Sequence, residues 1–263
     1  MKKIVALLLV CICLYSFSNR GADRNSIATR QYIEIRVYHF STMQQLRGVD
    51  SFLKEALVPA LHKAGINKVG VFTPVDIDTA ADKKLYVLIP YASLKQFAEL
   101  PLKLQNNKEY SRAGNSYINA AHNAAPYTRY ETILLNAFED MPEVKRPSLT
   151  SPKKDRIYEL RSYESSTEKQ HLNKVEMFNK GGEVRLFESL GFNAVFYGSV
   201  LAGNRMPNLM YMTSFENKAV RDEHWKTFGS DPVWKILSAK PEYKNNVSKI
   251  DIIFLTPTEY SDL

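Results

Sequence analysis

The chain repeats itself, and this limits what it can fold into more than any figure of composition. YIEIRVY (32–38) returns as IYELRSY (157–163), AGINKV (64–69) as LGFNAV (190–195), LYVLIPY (85–91) as LMYMTSF (209–215), and NKEY (107–110) as DPVW (231–234). The offsets stay between 124 and 126 residues. A near-constant period over four anchors means two copies of one supersecondary unit.

Each copy reads the same way. A strand is predicted at 32–39 and 157–163, then a helix at 43–63 and 167–190. In the second helix Leu172, Val175, Phe178, Leu186 and Leu190 fall at helical spacing around an interruption at Gly181–Gly182. Gly65 and Gly191 follow as left-handed helix ends. Strands at 67–73 and 193–200 come next, and then apolar strands at 84–91 and 208–215. Helical regions at 93–121 and 216–239 lead to closing strands at 128–138 and 248–257. In the second region Asp231 and Pro232 read as the N-cap and first residue of a helix.

The order β-α-β-β-α-β is the ferredoxin-like unit. The expected fold class is α+β, with repeats at 31–139 and 156–263. The Pro-, Lys- and Ser-rich stretch 140–155 is expected to be an exposed linker. Two such units can pack sheet against sheet as a pseudo-dimeric α+β barrel within one chain.

The first 18 residues, MKKIVALLLVCICLYSFS, have the charged start, apolar run and small residues of a cleavable signal peptide. A retained anchor is the rival reading. The protein is therefore expected to be exported, to the periplasm or outside the cell, with 19–30 a disordered tail. Cys11 and Cys13 both lie in this leader, so the mature chain has no disulfide, thiolate nucleophile or Cys-ligated metal. The formal charge is +7, from 35 basic against 28 acidic residues, and +5 without Lys2 and Lys3. With the basic residues spread along the chain and no nucleic-acid-binding motif, nucleic acid is not an expected partner.

Alternate residues of a strand share a face. Glu34, Arg36 and Tyr38 therefore point one way, and Glu159, Arg161 and Tyr163 repeat the set. Ile33, Ile35 and Val37 suit a helix-covered face, which puts both Glu-Arg-Tyr faces between the two sheets. There they would form a structural ion-pair network, as buried charges must, or line a cavity for a small molecule. In the second case Arg36 and Arg161 would hold anionic or carbonyl oxygens, Tyr38 and Tyr163 would donate or stack, and Glu34 and Glu159 would orient the arginines.

YELRSY (158–163), GFNAVFYG (191–198), LMYMTSF (209–215) and RDEHWKTFGSDPVWK (221–235) resemble the NIPSNAP family. The likeness covers about 157–256; the first repeat follows it in outline and lacks its tryptophans. The resemblance implies the dimeric α+β barrel fold, shared with heme-degrading monooxygenases, chlorite-dismutase-like enzymes and antibiotic-biosynthesis monooxygenases. It implies binding or interaction more than a defined reaction.

Of the five histidines none has a metal-site spacing, so no metal is expected. His224, beside Trp225, is the candidate for a heme-linked role if it faces the barrel. Trp225 and Trp234 read as hydrophobic anchors of a helix, with ligand stacking as the alternative. The expectation is thus a binder of a small polar or anionic ligand without a cofactor. The alternatives are a monooxygenase-like or heme-handling enzyme, and a module whose outer helices bind a protein partner. A single chain could complete its own barrel as a monomer, or associate further as a homo-oligomer.

Overall fold

Helix starts are set by matching caps in the two repeats. Thr42 and Thr167 accept from the amides of Gln45 and Gln170. Ser93 and Asn217 accept from those of Gln96 and Val220, and Asn107 and Asp231 cap the helices that follow. Each pair lies 124 or 125 residues apart. In each case a side-chain oxygen satisfies an amide that the helix leaves unpaired.

The computed structural model describes residues 29–263; the leader and nearly all of the expected tail lie outside that range. The first repeat runs β1 (Tyr32–Phe40), α1 (Met43–Phe52), a π-helical turn (Leu53–Leu57), α2 (Val58–Lys63), β2 (Gly70–Pro74), β3 (Lys83–Tyr91), α3 (Leu94–Gln105), α4 (Lys108–Ala113), α5 (Asn115–Ile118) and β4 (Arg129–Ala137). The second runs β5 (Ile157–Glu164), α6 (Glu168–Phe178), α7 (Glu183–Ser189), β6 (Asn193–Ala202), β7 (Asn208–Phe215), α8 (Lys218–Ser230), α9 (Pro232–Ala239) and β8 (Lys249–Pro257). Gly182 takes φ +90° between α6 and α7, the interruption expected there, and Gly65 and Gly191 end helices at φ +77° and +74°.

The eight strands close into one antiparallel barrel in the order β1-β3-β2-β8-β5-β7-β6-β4. Two short ladders join the repeats. One pairs β2 with β8 from Phe72↔Pro257 to Pro74↔Leu255, and the other pairs β4 with β6 around Leu135↔Val200.

Which face points inward is the reverse of the expectation. Ile33, Ile35 and Val37 belong to one cluster with Leu88, Tyr158, Leu160, Met210, Met212 and Leu255, residues drawn from both sheets. The apolar face therefore fills the barrel. Tyr38 belongs instead to a cluster with Phe52, Leu57 and Leu61 from the helices that cover β1 and β3. Glu34, Arg36, Tyr38, Glu159, Arg161 and Tyr163 thus lie outside the barrel wall, beneath helices. The reason is steric and electrostatic. An eight-stranded barrel has room inside for little but its own side chains, and a charged pair there would lose its water with few donors to replace it.

The segment expected as an exposed linker is also anchored. Val144 is fully buried in the barrel cluster, with Leu149 packed against it. The amide of Lys145 donates to the Val195 carbonyl, and the Glu216 carboxylate accepts from the amides of Thr150 and Ser151. Hydrogen bonds from Ser151 and Thr150 pull Glu216 down to a pKa of about 2. Together with the buried Leu263 side chain, this segment closes one end of the barrel. The other end keeps a cavity of about 250 Å³ with an apolar floor of Ile35, Val37 and Leu160 and a rim that includes His39 and Asp251.

The α6–α7 unit buries an ion pair, with Lys174 Nζ 2.8 Å from Glu183 Oε2 and both side chains at most 5% exposed. The 125-residue offset matches Lys174 to Val49, itself fully buried, so the site accepts an apolar side chain in the other copy. Removing one partner of such a pair is expected to cost about 3–5 kcal/mol, and replacing both by apolar residues far less. In chemical denaturation Glu183→Ala should therefore lose much more stability than the double variant Lys174→Met, Glu183→Leu.

Candidate functional site

The two polar faces begin alike. In β5, Arg161 Nε donates to Glu159 Oε1 at 2.6 Å and Arg161 Nη1 donates to the Tyr163 hydroxyl at 3.0 Å. In β1, Arg36 Nε donates to Glu34 Oε1 at 2.9 Å, and Nη1 lies 3.5 Å from the Tyr38 hydroxyl. The two-residue strand period brings acid, base and phenol into a row, and each arginine uses two of its five N–H donors within it.

What lies over that row differs completely. In the second repeat α8 closes it. Arg221 makes a two-pronged contact with Glu159, with Nε and Nη2 each 2.7 Å from a carboxylate oxygen. Trp225 Nε1 donates to Glu159 Oε2 at 2.8 Å, and its ring lies 3.6 Å from the centre of the Arg161 guanidinium. Glu159 therefore accepts four hydrogen bonds and is fully buried. Burial opposes its charge, but donation from Arg221 and Arg161 outweighs this and holds its pKa below the usual carboxylate range.

In the first repeat the donors come from the sheet. The Tyr91 hydroxyl donates to Glu34 Oε2 at 2.7 Å and Thr132 Oγ1 to Oε1 at 3.0 Å. Burial and the nearby Glu34 charge push the Tyr91 phenol up, so it remains a donor. Strand register and the 124-residue offset put Ile252 and Phe215 in place of Thr132 and Tyr91 in the second copy. On the helix, the same offset puts Phe97 and Pro101 of α3 where α8 has Arg221 and Trp225. Neither side chain of α3 reaches over Arg36 as Arg221 and Trp225 reach over the second row, and the Arg36 side chain is 21% exposed against 10% for Arg161.

The result is a cleft of about 880 Å³ between the outer face of the first sheet and α3–α5, continuing into the loop before β4. Glu34, Arg36 and Tyr38 form its floor. Its walls include Phe97, Tyr110, Tyr117 and Tyr127. Tyr117 stacks on Phe52 at 3.8 Å between ring centroids, and its hydroxyl lies 3.3 Å from that of Tyr38.

Six strand residues were expected to share one space. The structure divides them, with Glu34, Arg36 and Tyr38 at an open cleft and Glu159, Arg161 and Tyr163 beneath a closed helix. Trp225 both anchors α8 and stacks, but on Arg161. Trp234 packs on Phe228 with 4.4 Å between ring centroids. His224 does not face the barrel. Its Nδ1 donates to the Val220 carbonyl at 2.8 Å, and its ring sits edge-on between Phe192 and Phe215 beside Gly191. With Nδ1 engaged by the Val220 carbonyl and Nε2 turned toward Gly191 on the outer side, His224 presents no nitrogen to the barrel, which the heme-linked role required. Among the described residues no group of histidine and acidic side chains is arranged to hold a metal ion.

Sequence reasoning missed the aromatic wall and His122, which also lines the cleft. Six tyrosines of the first repeat, at 32, 38, 91, 110, 117 and 127, gather in or against its outer core, but nothing in the order of residues marks them as facing one space.

Stability should report the charge on Glu159. A carboxylate whose folded pKa is lowered contributes stability above its unfolded pKa and loses it as pH falls through the folded one. Wild-type unfolding free energy should fall as pH is lowered from about 5, since unfolded glutamate titrates near 4.3. Glu159→Gln should be less stable at pH 7 and should show a shallower acid decline in urea titrations at successive pH values.

The NIPSNAP family model matches residues 158–262, and no curated protein matches the chain. Among solved structures, a monooxygenase-like protein from Lactobacillus acidophilus NCFM aligns over 87% of this chain and 94% of its own, at 12% identity and a TM-score of 0.58. Another, from Fusobacterium nucleatum subsp. nucleatum ATCC 25586, aligns over 88% and 93%, at 8% identity and a TM-score of 0.55. A NIPSNAP family protein from Agrobacterium tumefaciens str. C58 aligns with 41% of this chain and 98% of its own, at 19% identity and a TM-score of 0.37. The first two share the whole barrel. The chain is thus a tandem α+β barrel whose second repeat matches the NIPSNAP family model over residues 158–262.

Proposed function

We propose that this is an exported protein that binds a small polar or anionic ligand in the cleft of its first repeat, with Arg36 as the principal contact. The observation that carries the reading is the contrast between two copies of one site. The same Glu-Arg-Tyr row is sealed by Arg221 and Trp225 in one repeat and lies under a cleft of about 880 Å³ in the other. That volume falls within the range of about 300–1,000 Å³ usual for small-molecule sites. Glu34 already accepts three hydrogen bonds from Arg36, Tyr91 and Thr132. It orients the guanidinium, while three Arg36 N–H donors have no acceptor among the described residues.

Arg161, Tyr163 and Glu159 are assigned to architecture. Export is supported by the leader pattern of residues 1–18. Closure of all eight strands within one chain supports a monomer as the working unit. Likeness to monooxygenase-like proteins at 12% identity or less bears on fold alone, so no reaction is assigned.

A thermal-shift panel of small carboxylates and phenols, with hits measured by calorimetry, tests the reading. Hits should bind once per chain and lose at least about tenfold in affinity, roughly 1.4 kcal/mol, in Arg36→Met. Ala98→Trp, which fills the cleft from α3, should also abolish binding and guards against misfolding of the first variant. Binding indifferent to both substitutions would overturn the proposal.

A further inference from the structure

The two arginines have the same donor use and differ in what lies on the guanidinium face. Arg161 carries an indole at 3.6 Å, edge-anchored by an N–H to the neighbouring glutamate. Arg36 has no indole on it; its guanidinium lies over the Tyr130 ring more loosely, at 5.5 Å from the centroid.

Four positions are exchanged between the copies, and the exchanges compensate one another. Tyr91 and Thr132 supply from the sheet the donors that Arg221 and Trp225 supply from the helix, so Glu34 stays satisfied although the helix has withdrawn its side chains. Pro101 stands at the Trp225 position and is exposed. It offers neither an aromatic face to cover the cation nor an N–H to the Phe97 carbonyl. Removal of the covering indole, with the carboxylate beneath still accepting three hydrogen bonds, leaves Arg36 a fixed cation without a ring packed as closely as the one on Arg161.

We propose that the Trp225 indole is an internal image of the ligand, so that the first-repeat cleft takes a planar, electron-rich aromatic molecule lying face-on over Arg36. This rests on the reading of the cleft as a ligand site and names the ligand's class. A guanidinium stacks on aromatic faces and attracts their negative quadrupole. Phe97, Tyr110, Tyr117 and Tyr127 present further rings around the same space, suited to edge contacts with a fused-ring system. The hydroxyls of Tyr110 and Tyr127 have no partner among the described residues and can meet an oxygen at the ligand's rim.

The probes are 2-naphthoate and its saturated decalin counterpart, which share charge and approximate size but not the π face. Calorimetry on the purified chain should show 2-naphthoate binding once per chain, at least tenfold tighter than the saturated acid, and weakened at least tenfold by Arg36→Met. Trp225→Ala should raise the stoichiometry to two, and indole should raise the melting temperature of that variant more than that of wild type, which offers the first-repeat cleft alone. Equal affinity of the two acids, both lost in Arg36→Met, would overturn the aromatic assignment and leave the cleft reading standing. Binding of neither acid would also overturn it, and the panel of the preceding subsection then decides the cleft reading separately. The naphthoate comparison in wild type does not depend on Trp225→Ala folding.

Discussion

The two Glu-Arg-Tyr rows of this molecule are placed by the closure of the barrel. Once eight strands meet edge to edge, their inward faces share a space that their own side chains fill, and only apolar side chains fill most of it without loss. Ile33, Ile35, Val37, Tyr158, Leu160 and Met212 occupy that space. The alternate residues of the same strands must face outward, where helices cover them. A helix, unlike the barrel lumen, can bring arginine, tryptophan or tyrosine to a buried carboxylate and can be altered without disturbing a strand ladder. The outer sheet face is therefore where this fold can hold charge, and where it can vary.

The duplication makes that variation readable. Glu34 and Glu159 are both essentially excluded from solvent, and a buried carboxylate without donors is costly. Each copy meets the demand, one through helix α8 and the other through β3 and β4. Moving the donors from helix to sheet frees the helix from its electrostatic task, so α3 can carry Phe97, which packs edge-on against Tyr91, and Pro101. Loss of the helix donors without Tyr91 and Thr132 would have left Glu34 with Arg36 alone. The open cleft is thus conditional on two sheet substitutions that do not themselves create space.

The period and the β-α-β-β-α-β order were legible in the sequence because both rest on local signals, namely caps, glycines and apolar periodicity. Strand bounds such as 157–163 and 208–215, the break at Gly181–Gly182 and the Asp231–Pro232 helix start all follow from them. The inward face was not legible. Both faces of β5 carry an aromatic ring or an aliphatic chain beside polar groups, Tyr158, Leu160 and Ser162 on one side and Glu159, Arg161 and Tyr163 on the other. Local alternation cannot say which faces a helix. The governing fact was global, that a closed lumen tolerates Ser162 at its rim more readily than an arginine in its middle. Burial of Val144 was hidden likewise, because a single valine in a Pro- and Lys-rich stretch gives no sign of a barrel end waiting to be closed.

The first-repeat site is also ordered before anything enters it. Tyr91 and Thr132 hold Glu34, Glu34 holds Arg36 by its Nε, and Tyr38, fixed between Phe40, Tyr127 and Tyr130, stands beside Nη1. Immobilising a flexible side chain on binding costs about 0.5–1.5 kcal/mol. Here that cost for Arg36 has largely been met on folding, since the carboxylate that restrains it is itself held by two strands. The second repeat shows the same arrangement completed from within, with a ring from its own helix in place. On the proposed reading, what separates a structural element from a binding site in this chain is therefore small: whether the last group over the arginine is covalently part of the protein.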